Sequence, residues 1–234
     1  HVSARGHAGV TRLHCSMINT EALGYVLPTR SLGQSLARRL HNSERTSYLV
    51  PATAVDAEIT NDEVIIKLED QPNTLSTSLL VIADGGRSSL REKVGISKIE
   101  KPYRQSALIA LVGSDRHHGG VAYEHFTRHG PLALLPTTES HFALAWTLPR
   151  TTAKAYSNFS EDELLMQLQR VFGDRAGFFQ HIGKRHVYPL RRVSVAQPSV
   201  QHTVAIGNAA HEVHPVAGQG FNLGLRDVAE LAEA

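Results

Sequence analysis

The stretch Val204 to Asp227, VAIGNAAHEVHPVAGQGFNLGLRD, constrains the fold of this chain most, because it reads as a strand, a polar turn and a glycine-rich helix start in succession. Val204-Ala205-Ile206 has the length and β-branched content of a buried strand. Gly207-Asn208 follows at its carboxyl end, where open α/β sheets present ligands. Pro215 stiffens the connection. Gly218-Gln219-Gly220 lets backbone come close to a ligand, and a helix opening near Phe221 or Asn222 points unpaired N–H groups and a positive dipole end outward. An electron-rich ring edge would be stabilised there.

A second feature is the apolar run Leu79-Leu80-Val81-Ile82-Ala83, which ends in Asp84-Gly85-Gly86-Arg87-Ser88-Ser89. It reads as a central strand feeding a tight turn, with Ser89 capping the helix that follows. Backbone N–H groups of such a turn, joined by Arg87 and Arg91, suit a pyrophosphate. Asp84 would organise the turn, while Arg87 or Arg91 would either meet phosphate charge or anchor the domain. An Asp-Gly turn before a helix is ordinary by itself; its pairing with the first feature gives it weight.

Three segments carry capping boxes: Ser31 with Gln34, Ser89 with Glu92 before Gly95, and Ser160 with Glu163 before Gly173. In the third, Leu164, Leu165, Leu168, Val171 and Phe172 keep helical spacing, which predicts one face laid against a sheet. Glu58-Ile59-Thr60 and Val64 to Leu68 flank Asn61-Asp62 as hairpin arms. Runs at Ser106 to Val112, Ala122 to Phe126, Pro131 to Leu135 and His141 to Leu148 have no helix between them and predict an antiparallel sheet with one covered face. Trp146, Phe126, Phe142 and Leu134 would line a cavity there or pack as core. The fold class is therefore α/β with an α+β insertion, and the division expected is 1–102, 103–191 and 192–234, the first and last belonging together.

Net charge is +2, from 24 basic and 22 acidic residues, and the longest basic runs are pairs, so a nucleic-acid role has little electrostatic basis. Cys15 is alone, excluding an internal disulfide and fitting a reducing compartment, with the thiol read as a small buried group. No stretch approaches the ~20 apolar residues of a membrane span, and the cytoplasm is the expected location. His211 and His214 have a zinc-like spacing, but Pro215 follows at once and no third ligand stands at suitable spacing, so no metal is expected. The loop histidines His117 and His118 read as solvent-exposed.

The combination of GNAAH, HPVAGQGFNLGLRD, ADGGRSSLR, the opening HVSARGHAG and FTRHGPLALLP resembles the FAD-dependent aromatic hydroxylases of the p-hydroxybenzoate hydroxylase type, in particular those of the ubiquinone pathway, from His1 to the last residue. The resemblance implies a Rossmann-like FAD/NAD(P)-binding domain with an inserted, mainly antiparallel substrate sheet. It implies FAD as cofactor, NAD(P)H as reductant, and hydroxylation of a polyprenyl phenol by O2 through a flavin hydroperoxide. Asn208 stands where the family usually has Asp, bonding a ribose or ribityl hydroxyl; Gly218, Gln219, Gly220, Phe221 and Asn222 would cover the pyrimidine edge, and Pro215 the oxygen-facing side. Asp84, Gly85 and Arg87 would lie between the pyrophosphate and the path of NAD(P)H, and Arg30 would reach the phosphate or ribityl region or remain a solvated charge. The strand–G-x-G-x-x-G–helix unit that holds adenosine in that family is absent, so the sequence reads as an interior piece that alone would bind FAD poorly and lack activity. Other flavin chemistry on the same fold, such as isoprenoid reduction or halogenation, and a catalytically silent binding module stand as alternatives; the WxWxIP of halogenases is absent. Self-association, peripheral membrane contact or a complex with other ubiquinone-pathway enzymes would be compatible, and no general base is identified.

Overall fold

The computed structural model describes residues 1–234, apart from the side chain of Ala217. In chain order the elements are β1 (Val2–Ala4), β2 (Val10–Thr11), α1 (Thr29–His41), β3 (Ala54–Ile59), β4 (Val64–Leu68), β5 (Thr74–Thr77), β6 (Leu80–Ile82), α2 (Leu90–Lys93), β7 (Lys98–Ser114), β8 (Tyr123–Thr127), β9 (Gly130–Pro136), β10 (His141–Pro149), α3 (Arg150–Ser157), α4 (Glu161–Phe172), β11 (Phe179–Ile182), β12 (His186–Val195), β13 (Ser199–Val200), β14 (Thr203–Ala205), β15 (His211–Glu212) and α5 (Gly220–Glu233). They form two compact units, one of residues 1–46 and 104–189, the other of 47–103 and 190–234. The division departs from the one read in the sequence at residues 1–46. These join the antiparallel sheet because β1 pairs in parallel with β8, Val2 opposite Glu124 and Ala4 opposite Phe126.

The first unit is built on the order β7-β10-β9-β8-β1-β2, with β11 on the far end of β7. The four expected strands are all present, and β7/β10, β10/β9 and β9/β8 are antiparallel. Alternation gives the sheet two different faces. Leu108, Ala110, Val112, Leu132, Leu134, Phe142, Leu144, Trp146 and Leu148 point into one core, closed by Leu164, Leu168 and Phe172 of α4. That helix is held as its sequence requires: Ser160 Oγ accepts from Glu163 N and Glu163 answers at Ser160 N, while Gly173 ends it. Of the two readings for Trp146, Phe126, Phe142 and Leu134, core packing holds for Trp146, Phe142 and Leu134, and Phe126 fits neither. Leu134 is paired with Tyr123, so Phe126, an odd number of residues away on β8, lies on the opposite face and is 41% exposed. The helix α3 was not foreseen, because its β-branched RTTAKAYS carries no side-chain cap and starts directly from Pro149.

Two capping boxes are not formed. Helix α1 starts two residues before Ser31, from Pro28, whose extended backbone directs its carbonyl to the N–H groups of Ser31 and Leu32, and no side chain caps it. Its Leu36 and Leu40 are exposed. At α2 the bond to the helix start comes from Ser88 Oγ, which accepts from Arg91 N at 3.1 Å, since Ser89 is already helical in backbone and makes no cap bond. Gly95 ends α2 with φ +85° as expected. Cys15 lies in a half-exposed 3-10 turn, not in a buried strand. His118 is not solvent-exposed like its neighbour; its ring packs edge-on at 5.6 Å from Phe142.

In the second unit, β3, β4 and β5 form a meander whose first turn holds Asn61-Asp62, with Thr60 N bonded to Glu63 O. A separate sheet has the order β13-β14-β6. Among the described residues β6 is therefore an edge strand, not the central one its apolar run suggested. Its inward Ile82 is buried, whereas Leu79 and Val81 remain 48% and 38% exposed. Ile82 and Ala205 pack with Leu90, Val94 and Ile96 from α2 and the chain after it, and with Val64 of the meander.

Candidate functional site

Parallel pairing of β6 with β14 is in register: Leu80 faces Thr203, Val81 faces Val204 and Ile82 faces Ala205. Ile206 N then donates to Ile82 O at 3.0 Å. Neighbouring strands are ~4.8 Å apart. The chain thus leaves the sheet at Asp84 and at Gly207-Asn208 from adjacent points on one edge, and the two sequence features become one site.

Buried groups fix both loops. Gly85 takes φ +88°, its carbonyl accepting from Ser88 N at 3.2 Å. Arg91, fully buried, donates from Nη1 to the Ala209 carbonyl at 2.6 Å, tying the first loop's helix to the second loop. Of the two roles left open for Arg91, it fills that of anchor. The second loop turns at Gly207, φ +58°, whose N–H donates to Asp227 Oδ2 at 2.7 Å; the same oxygen takes His211 Nε2 at 2.8 Å. Asp227 reaches back from the second half of α5. Gly224 faces the turn, where a Cβ would make ordinary van der Waals contact with Gly207 Cα at 3.4 Å. His214 Nδ1 accepts from Val216 N at 3.1 Å, its ring meets Tyr103 edge-on at 4.9 Å, and burial pushes its pKa down, which keeps the acceptor nitrogen unprotonated. Both histidines are turn fittings, and no group of three metal-ligating side chains occurs among the described residues.

The remaining candidates face outward. Asp84, Arg87, Asn208, Pro215, Gly218, Gln219, Phe221 and Asn222 are exposed, and Gly85 and Gly220 are half-buried. Pro215 opens a 3-10 turn, Pro215–Ala217, and Gly218 closes it with φ +60°. Helix α5 begins at Gly220 with no side-chain cap bond and no acidic residue in its first turn. Its first N–H groups and positive dipole end are thereby left for an external acceptor. A Cβ added at Gly85, Gly207 or Gly218 would meet nothing within 4 Å, so the outer side of each turn is open. A donor set of this kind, with one amide at Asn208 and one guanidinium at Arg87, fits the ribityl, pyrophosphate and pyrimidine parts of FAD. Arg30, second residue of α1 and exposed, belongs to the other unit.

A charge network unforeseen from sequence underlies the first loop. Glu212 Oε2 accepts from Arg191 Nε at 2.6 Å; Arg191 Nη1 reaches Glu100 at 3.2 Å, and Lys98 lies 3.4 Å from Glu100. Glu212 fits against the loop only because residue 86 is glycine: an added Cβ would lie 2.7 Å from its Cδ. The hydrogen bond from Arg191 to Glu212, ahead of the Glu100 contribution, raises the Arg191 pKa. The signals available were the Glu of AAHEVHP and the second glycine of ADGGR, neither of which the motifs single out.

A family model described as FAD binding domain matches residues 13–234. Ubiquinone hydroxylase UbiL of Rhodospirillum rubrum is 38% identical over 212 residues, covering 90% of this chain and 49% of that protein. The 3-demethoxyubiquinol 3-hydroxylase of Escherichia coli is 28% identical over 211 residues, covering 90% and 54%. The chain spans about half the length of these curated relatives. Among solved structures, p-nitrophenol 4-monooxygenase PnpA from Pseudomonas putida DLL-E4 superposes with a TM-score of 0.70 at 17% identity, covering 88% of this chain and 53% of that one, which shows a shared fold.

Proposed function

The chain belongs to the FAD-binding-domain family, and from that premise we propose that it forms the flavin- and substrate-binding parts of an aromatic-ring monooxygenase acting on a polyprenyl phenol of ubiquinone biosynthesis. The observation that carries the reading is the in-register pairing of β6 with β14, which sets the loops of Asp84 and Asn208 side by side. The names of the relatives support the substrate class. When bound, FAD supplies the redox chemistry that takes electrons from NAD(P)H and delivers one oxygen atom of O2 to an electron-rich ring.

The chain's own residues hold and polarise. The amide of Asn208 bonds a hydroxyl of the ribityl or ribose portion, while Arg87, beside Asp84 and Gly85, meets the pyrophosphate. N–H groups of Gly220, Phe221 and Asn222 stabilise negative charge at the pyrimidine edge, as fixed dipoles do for an oxyanion. Pro215 and Gly218 shape the backbone that passes the ring, and Gln219 lies at the helix entry. Arg30 lies on the other unit and is left out of this set. No helix of the described residues is long and apolar enough to cross a membrane.

The test is titration with FAD, followed by flavin fluorescence. None of the 234 residues forms a G-x-G-x-x-G turn, so the chain alone binds weakly, and Asn208→Ala or Gly220→Val weakens it about tenfold further, the worth of one hydrogen bond. A tight stoichiometric complex that both variants retain would refute the placement. Fusing the strand–G-x-G-x-x-G–helix unit of a relative ahead of His1 should confer NAD(P)H-dependent hydroxylation of a prenylated phenol, read as a product heavier by one oxygen; a fusion that holds FAD but never hydroxylates would refute the activity.

A further inference from the structure

A cavity of about 330 Å³, at the small end of ligand pockets, opens in the first unit on the side of the sheet covered by α3 and α4. Its rim is cationic. Arg5 follows β1, Arg128 sits in the turn between β8 and β9, and Arg170 lies near the end of α4. Thr152 and Gln167 add a hydroxyl and an amide to the lining. No aspartate or glutamate lines the cavity, and among the described residues none of the three arginines has an ion-pair partner. At the bottom, Trp146 and Leu148 are each only 2% exposed, so they belong to the core and offer almost no apolar surface to an occupant.

Three like charges around one opening repel each other and raise the local potential. His125, buried on β8, registers it: desolvation first, then Arg175 and Arg5, hold its pKa below the usual value. Arg128 Nε donates to His129 Nε2 at 2.8 Å, which uses one donor of that guanidinium and leaves its two Nη groups. All three arginines are exposed, so a single contact contributes little and only an anion that meets several at once is held. A carboxylate brings one charge and two oxygens. A phosphate monoester brings close to two charges and three outer oxygens, each a strong acceptor for the paired N–H donors of guanidinium groups.

We infer that this cavity is a binding site for a phosphate monoester, with its phosphate among Arg5, Arg128 and Arg170 and its polar body toward Thr152 and Gln167. Such a phosphate belongs either to a small soluble ester or to a lipid headgroup, and the recognising chemistry is the same. The inference stands on the first unit alone and is independent of the flavin reading. None of these residues belongs to the loops of Asp84 or Asn208.

The test is calorimetric titration at constant low ionic strength and a pH of about 8, where the ester is a dianion. Glycerol phosphate should bind saturably, with acetate at least about tenfold weaker. Arg128→Gln together with Arg170→Gln should weaken glycerol phosphate about five- to tenfold, the loss expected for two exposed ion pairs. Lys101→Gln together with Arg192→Gln removes the same charge from the other unit and should leave the affinity unchanged. Cosedimentation with phosphatidylcholine vesicles that carry phosphatidic acid, lost in the Arg128 and Arg170 double variant, would assign the phosphate to a lipid headgroup. Binding of glycerol phosphate without cosedimentation would assign it to a soluble ester. Three results would overturn the inference: no saturable heat with glycerol phosphate, acetate binding equally well, or a rim double variant that titrates like the Lys101 and Arg192 control.

Discussion

Replacing Gly86 by alanine probes the packing beneath the first loop, and its sign depends on one other residue. The new methyl carbon would stand 2.7 Å from Glu212 Cδ and 2.8 and 2.9 Å from its carboxylate oxygens, closer than side chains tolerate. The backbone at Gly86 is outside the left-handed region, so the alanine itself is unstrained there and removes unfolded-state entropy worth about 0.4–1 kcal/mol in favour of folding. Against that, the carboxylate must move off Arg191 Nε, a charge-assisted bond of 2.6 Å between side chains that are 25% and 26% exposed. Such bonds contribute about 1.5–3 kcal/mol, and partial exposure places this one at the low end. Gly86→Ala should therefore cost about 1 kcal/mol net, or roughly 2–4 °C in melting temperature for a chain of this size. In a Glu212→Ala background the clash with the carboxylate is gone, and the same change should stabilise by about 0.5 kcal/mol. Thermal and urea unfolding of the four proteins, followed by circular dichroism, give the coupling directly. An identical cost of Gly86→Ala in both backgrounds would refute the reasoning.

Asp227→Ala removes the acceptor shared by Gly207 N–H and His211 Nε2 and should cost about 2–3 kcal/mol; Asp227→Asn, which keeps one acceptor, should lose less, and equal losses in urea melts would count against the shared role. Burial pushes the Glu124 pKa up to about 6 from 4.5. Folding thus favours its protonated form, and the stability this contributes is complete below 4.5 and lost as pH rises through about 6. Glu124→Gln should accordingly raise the melting temperature at neutral pH and leave it nearly unchanged in acid; a difference independent of pH would show that the carboxyl is not the cause.

The parts of the fold carried by local chemistry were legible in the sequence. Ser160, Glu163 and Gly173 fix α4 through bonds within a few residues, and the alternation in His141 to Leu148 marks one face of β10. The two loops were legible for a similar reason, since Gly85, Gly207 and Gly218 adopt backbone angles that few other residues accept. What escaped depends on partners distant in the chain. Whether Arg91 serves a ligand or Ala209 is decided by packing against a residue 118 positions away. The placement of residues 1–46 beside β8 is of the same kind, because three residues of β1 carry no signal of their own. Glu212 and Asp227 lie inside the motif that was read, yet their work is done across to Arg191 and back to Gly207.

The pairing of β6 with β14 joins Ile82 to Ala205, positions separated by 123 residues (205 minus 82). At a synthesis rate of about 5–20 residues per second, β6 leaves the ribosome roughly 6–25 s before its neighbour exists. Over that interval the backbone groups of β6 that later bond β14 have no strand beside them. Nascent chains of this sequence should therefore depend on a holding factor, or on rapid elongation through to β14, more heavily than the finished fold would suggest.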